Sequence, residues 1–452
     1  MKRDLTSGSV LKNIAYFSLP YFLSYFLQTL YGMADLFIIG QYEGAASTTA
    51  VSVGSQIMHM ITVMIVGLAM GTTVCIGQSI GAKDRKRASS VVGNTVVLFI
   101  IASIILAGIL LLFVQPIVSV MSTPTEAVEG TIRYLIICFL GIPMITAYNV
   151  ISSIFRGLGD SKTPMYFIAV ACLCNIGLDY LFIGGMNMGP AGAALGTTLA
   201  QTISVILALA TILCKKNLGI SVKLADLKPI PAVMGQIVRI GFPIALQDGF
   251  IQIAFLIITV IANRRGLSAA AAVGIVEKII SFVFLVPSSM LSTVSALGAQ
   301  NVGAGQHKRA SDTLRYAIMI TVIYGLIISL AVQFIGGNIV GLFTSDSTVT
   351  FMGEQYIHGY IWDCIFAGIH FSFSGYFCAY GRSEISFLHN IIAILCVRIP
   401  GVYLTSLWFP NTLFPMGLAT ATGSLLSVIV CLIAYRWLKG KGIIPSGDGM
   451  SA

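Results

Sequence analysis

Residues 165–186 read MYFIAVACLCNIGLDYLFIGGM, an apolar run with one carboxylate, Asp179, and an amide one helical turn before it, Asn175. Four apart, the two fall on one face of a helix. So placed, they offer oxygen ligands to a hard cation, or a carboxylate whose proton can come and go. A pair that only fastened two helices would be worth about 0.6 and at most about 1.7 kcal/mol. A charge at the centre of a membrane span costs about 2.5–3.5 kcal/mol. A fastener needs no carboxylate, since an amide or hydroxyl would serve at lower cost.

A second set lies near the start of the chain. Tyr21, Ser24, Gln28, Tyr31 and Asp35 follow at spacings of three, four, three and four, which makes one polar stripe along a helix. Interfacial tyrosines and a serine at a helix contact are the alternative. Gln28, near the middle of the run, favours a stripe that lines a cavity. Pro20 opens the stripe, and an interior proline removes a ladder donor and bends its helix.

These residues must be carried by long apolar elements. The chain has 452 residues, 56% hydrophobic and 10% charged, against about 25% charged in soluble domains. Runs of roughly 20 apolar residues cross a bilayer. Twelve are predicted, at 13–39, 50–80, 90–114, 128–156, 164–184, 190–214, 235–262, 268–300, 312–342, 352–380, 386–408 and 413–438. The first is too long for a signal segment and is read as a retained span. The nine cysteines lie in or beside these runs without metal-type spacing and read as small hydrophobes. Lys2, Arg3, Lys12, Lys83, Arg85, Lys86, Arg87, Arg156, Lys162, Lys215, Lys216, Lys223, Lys228, Lys308, Arg309, Arg315, Arg382, Arg436, Lys439 and Lys441 fall on one side, and Arg133, Arg264 and Arg265 on the other. The positive-inside rule then places both termini in the cytoplasm of a multi-pass protein of the cell membrane. The net charge of +9 follows from this bias and implies the lipid bilayer, not nucleic acid, as surroundings.

The chain also repeats. IGAKDRKRAS at 80–89 returns as VGAGQHKRAS at 302–311, and a spacing of 222 also carries Gly44 to Gly266, Phe155 to Phe377, Gly159 to Gly381 and Ser161 to Ser383. Pro20 meets Pro243, and GPAG at 189–192 meets FPMG at 414–417, with small drift. The expectation is an all-α integral membrane protein: a six-helix lobe over 1–214, a cytoplasmic linker over 215–234 and a second six-helix lobe over 235–452. An even number of spans per lobe gives both the same orientation, with a pseudo-twofold axis along the membrane normal. At the same spacing Asp35, Asn175 and Asp179 meet Ile257, Val397 and Gly401, so only the first half carries the acidic cluster.

Catalytic constellations are missing. His59, His307, His358, His370 and His389 show no metal-ligand spacing, and there is no Walker loop and no GxSxG elbow, so an enzyme is not expected. Glu277, Lys278 and Arg398 read as interhelical ion pairs; the roles of Asp248, Asp363 and His370 stay open. Asp160 and Lys162 read as setting the conformation of a turn.

Pro20 with Asp35, FRGLGDSKTP at 155–164, NIGLD at 175–179 and GPAGAALGTT at 189–198 together resemble the multidrug and toxic compound extrusion transporters, the MATE family. The resemblance covers nearly the whole chain. It implies a secondary active exporter of organic cations or other small amphipathic compounds by antiport with H+ or Na+, monomeric and without a cofactor beyond that coupling ion. It also implies a cation site, Na+ included, at Asp35, Asn175, Asp179 and Thr197, and a conformational hinge at Pro20. Substrate contacts would come from Tyr21, Ser24, Gln28 and Tyr31. Some family members use carboxylates in the seventh and tenth spans, where this chain has Asp248, Gln252 and Asp363. The alternative is a lipid-linked saccharide flippase of the same broader superfamily, whose basic cavity for phosphates contrasts with the acidic cluster here.

Overall fold

The computed structural model describes residues 5–214 and 223–445. Lys2, Arg3, Lys215, Lys216 and residues 215–222 of the expected linker lie outside the described residues. All regular structure among the described residues is helical. The helices are α1 (Val10–Tyr42), α2 (Ala45–Gly81), α3 (Arg85–Leu112), α4 (Val114–Val120), α5 (Thr125–Gly157), α6 (Lys162–Asp179), α7 (Gly189–Cys214), α8 (Pro231–Asn263), α9 (Leu267–Val283), α10 (Leu285–Gly303), α11 (His307–Gly341), α12 (Ser347–Tyr360), α13 (Asp363–Ala379), α14 (Ser383–Ala393), α15 (Ile399–Trp408) and α16 (Phe414–Gly440). Wider π-helical turns, Tyr180–Gly185 and Ile394–Arg398, follow α6 and join α14 to α15.

Eleven of the twelve predicted spans are helices long and apolar enough to cross a membrane. The tenth is split: α12 ends at Tyr360 and α13 begins at Asp363, so neither piece is long enough alone. The eighth also divides, at Phe284 between α9 and α10.

The helices cluster into two compact units, Leu23–Ala245 and, among the described residues, 5–22 with 246–445. This division differs from a cut at the linker. The first part of α1 belongs with the second unit and the first part of α8 with the first. In each case membership changes shortly after an interior proline, Pro20 or Pro243. Side-chain contacts hold these exchanged pieces. Arg309 donates to the carbonyl oxygens of Ser7 and Gly8 at 3.2 and 2.9 Å. In the first unit Asn94 accepts from the N–H of Ile230 at 2.6 Å, and Arg87 donates to Gln236 at 3.0 Å. Arg87 and Arg309 are repeat partners.

The repeat is visible in backbone detail. Ala82 N–H reaches the Gln78 carbonyl and Ala304 N–H the Gln300 carbonyl, and the next residue, Lys83 or Gly305, takes a left-handed φ of 58° or 71°. Gly159 and Gly381 close α5 and α13 with φ of 87° and 70°. Packing is conserved by exchange. Gly157 of α5 lies under Ile76 of α2, whereas at the matching positions Ala379 of α13 lies over Gly298 of α10. Close approach of helices through small residues is the usual way to gain packing where lipid supplies no hydrophobic drive.

At Gly305 an added methyl would meet nothing within 4 Å, so Gly305→Ala isolates backbone strain. Left-handed backbone costs an L-residue about 1–2 kcal/mol. Thermal denaturation of the purified protein in detergent is expected to show a lower melting temperature for Gly305→Ala, and a slightly higher one for Lys83→Gly.

Candidate cation site

α1 is two-faced. Leu19, Phe26, Leu30, Met33 and Phe37 are exposed at helical spacing and form an apolar outer face. On the other face Tyr21, Ser24 and Asp35 are buried, and Gln28 and Tyr31 half-buried. Pro20, also buried, lies inside the helix without ending it. Tyr21 packs on Phe17 with ring centroids 5.8 Å apart, and the Tyr31 hydroxyl accepts from the Gln201 amide at 3.5 Å.

Asp35, near the end of that face, meets residues from two distant segments. The Thr197 hydroxyl of α7 donates to Asp35 Oδ2 at 3.1 Å. Asn175 and Asp179 of α6 lie beside the same carboxyl and interact with it electrostatically. Asn175 is 1% exposed, Asp179 0% and Asp35 3%, so water contributes little to their solvation. Asp35 Oδ1, both carboxylate oxygens of Asp179 and both polar atoms of the Asn175 amide make no well-aligned hydrogen bond within the chain. Buried polar atoms are nearly always satisfied, so five such atoms side by side need a partner. Two adjacent carboxylates also repel when both are ionised. A proton shared between them or a Na+ ion would offset that repulsion, and the four oxygens among the five atoms suit a hard cation. Among the described residues there is no cluster of three or more His, Cys, Asp or Glu side chains placed to hold a metal ion; the carboxylates here number two.

Local structure explains the placement. Asp160 accepts from the N–H groups of Lys162 and Thr163 at 3.1 and 3.0 Å and so caps the start of α6; it sets a turn, as expected. α6 then runs to Asp179, where the wider π turn begins, and such turns recur at functional sites. Gly196 of α7 lies directly against Asp179 Oδ1, and a Cβ there would sit within 3.6 Å of Asn175 Nδ2. Gly196 and Gln201 were not singled out from the sequence. Gln201 lies one turn beyond Thr197 and was open to a periodicity argument. Gly196 carried no signal, because close approach is a property of two helices.

The second unit corrects one expectation. Arg398 forms the expected interhelical ion pair, with Asp363, 2.5 Å from its carboxylate, whereas among the described residues Glu277 and Lys278 form none. Glu277 accepts from Thr259 at 3.3 Å, and Lys278 is exposed. Asp248 and Gln252 are partly buried on α8. A separate apolar concavity of about 350 Å3, lined mainly by Ile253, Leu256, Ile257, Val260, Ile399 and Tyr403, includes none of the candidate site residues.

The family model MatE matches the chain twice, over residues 20–181 and 243–404. The chain belongs to the MatE family. The two matches are of equal length and start at Pro20 and Pro243, so they fall on the two copies of the repeat. Among curated relatives, the chain is 29% identical over 440 residues to the probable multidrug resistance protein YpnP of Bacillus subtilis, covering 97% of this chain and 98% of that one. It is 25% identical over 429 residues to the multidrug export protein MepA of Staphylococcus aureus, covering 94% of each. It is also similar in fold to a MOP superfamily transporter from Pyrococcus furiosus, with a TM-score of 0.91, 22% identity and 98% of each chain covered.

Gly196→Ala is expected to lower thermal stability by about 1–3 kcal/mol through overpacking against Asp179. In an Asp179→Ala background the same change should cost clearly less. Equal costs in the two backgrounds, measured by denaturation in detergent, would place Asp179 away from Gly196.

Proposed function

We propose that this family member is a secondary active exporter of small amphipathic or cationic compounds, driven by inward movement of H+ or Na+ and acting as a monomer in the cell membrane with both termini cytoplasmic. The observation that carries the reading is the convergence of Asp35 of α1 with Asn175, Asp179 and Thr197 of the consecutive helices α6 and α7, about 140–160 positions away, into one buried acidic cluster. The multidrug names of the relatives support the substrate class.

In this mechanism the coupling cation is cargo. It enters the cluster from outside, offsets the repulsion between Asp35 and Asp179, and is drawn toward the cytoplasm. An inside-negative potential contributes about 2.3 kcal/mol per charge per 100 mV. Occupancy must favour one conformation of the protein over the other for transport to follow. α1 links the cluster to that change: Asp35 is on the same helix as Pro20, and proline supplies no N–H to the helix ladder. Tyr21, Ser24, Gln28 and Tyr31 lie between them and are the proposed substrate contacts. The flippase alternative calls for a basic site to hold phosphate, and the acidic character of the cluster disfavours it.

Dye efflux from proteoliposomes under an imposed pH or Na+ gradient tests the assignment. Asp35→Asn and Asp179→Asn are each expected to lose most gradient-driven efflux while the protein still folds; wild-type rates in both variants under either gradient would refute the cluster as the coupling site. In the same assay Pro20→Ala is expected to slow efflux several-fold while leaving cation binding to the purified protein near the wild-type level.

A further inference from the structure

The second unit contains a differently charged counterpart of the cation site. Counted from the starts of the two family matches, at Pro20 and Pro243, Arg398 stands where Asn175 stands in the first half, one residue past the Val397 reached by the spacing of 222. Arg398 ends the π-helical turn Ile394–Arg398 that follows α14, and Asn175 lies five residues before the π-helical turn Tyr180–Gly185 that follows α6. Each is packed on the last long helix of its half at a glycine followed by a hydroxyl residue. Gly196 and Thr197 serve Asn175, Asp179 and Asp35, while Gly423 lies against the Arg398 backbone and Cβ and Ser424 accepts from its guanidinium at 3.3 Å.

The chemistry differs at one point. Among the described residues, no positive side chain acts on Asp35 or Asp179 in the first unit. In the second, Asp363 Oδ2 accepts from Arg398 Nη2 at 2.5 Å, with Asp363 fully buried and Arg398 8% exposed. Around the pair stand Glu277 of α9, the hydroxyls of Tyr356 and Tyr360 on α12, and His370 of α13, the last stacked edge-on against His389 of α14. A buried guanidinium is always charged and cannot leave.

We propose that Arg398 is a tethered cation, occupying in the second unit the role that an exchangeable H+ or Na+ fills in the first, so that Asp363 is closed to coupling ions and the number of cations moved per cycle is set by the first unit. This rests on the reading of the Asp35–Asp179 cluster as the coupling site. An exporter with two open carboxylate sites could move an additional cation per cycle; Arg398 removes that option at the cost of a permanent buried ion pair.

The test is cation uptake by the purified protein, as binding of radioactive Na+ and as proton uptake between pH 8 and pH 6. Wild type compared with Asp35→Asn/Asp179→Asn tests the first-unit reading alone, and equal uptake would refute that reading without touching the second unit. Within the Asp35→Asn/Asp179→Asn background, adding Arg398→Gln is expected to add close to one cation per protein, and adding Asp363→Asn as well to abolish it. Both arms retain Glu277, so its contribution cancels. No gain with Arg398→Gln overturns the proposal. If Arg398→Gln does not fold, the charge-neutral Asp363→Asn/Arg398→Gln protein decides. Its uptake is expected to equal that of the background with the pair intact, and a loss of one cation relative to that background would show Asp363 to be an exchangeable site and overturn the proposal.

Discussion

Everything in this protein is arranged around the cost of holding charge where neither water nor lipid headgroups can solvate it. A buried ion must be paired, hydrogen-bonded or neutralised. The chain uses two solutions. In the second unit it supplies an opposite charge, Arg398 against Asp363. In the first it places two carboxylates together with an amide and one hydroxyl, with no cationic side chain beside them among the described residues. The first solution makes a stable structural element. The second leaves two neighbouring carboxylates to repel when both are ionised, which is the feature the proposed coupling role rests on.

Much of the framework was legible because it is local. Apolar length, loop charge and the proline positions are read along one segment at a time, and eleven of the twelve predicted spans are long apolar helices. The repeat was legible through IGAKDRKRAS and VGAGQHKRAS, whose shared turn geometry demands similar residues. The break at Ile361–Trp362 was not, since neither residue of the break is a glycine or proline. Nor was the membership of the helix ends: that residues 5–22 cluster with the second unit depends on contacts made by Arg309, about 300 positions away.

For the site, the separation between legible and illegible falls between residue and neighbour. Asn175 and Asp179 were visible as an isolated polar pair in an apolar run, and Asp35 as the end of a stripe. That they meet, with Thr197, was implied by family resemblance and not by spacing. Gly196 is invisible in isolation because it contributes space. Arg398 was recognised as an ion-pair former, but its partner could not be chosen from Glu277 or Asp363 by sequence, since each is within reach of some helix packing.

The exchanged packing of Ile76 over Gly157 and of Gly298 under Ala379 bears on how the two halves have drifted apart. At this contact the first half sets isoleucine on glycine and the second sets alanine on glycine, so the glycine has moved from one helix to its partner. Neither helix is then a free replacement for its counterpart: a chimera carrying α2 against α13 would set Ile76 on Ala379 and crowd the contact, and α10 against α5 would set Gly298 on Gly157 and leave a gap. Divergence between the halves therefore proceeds by coupled pairs, and a residue-by-residue comparison understates how much of their common architecture they have kept.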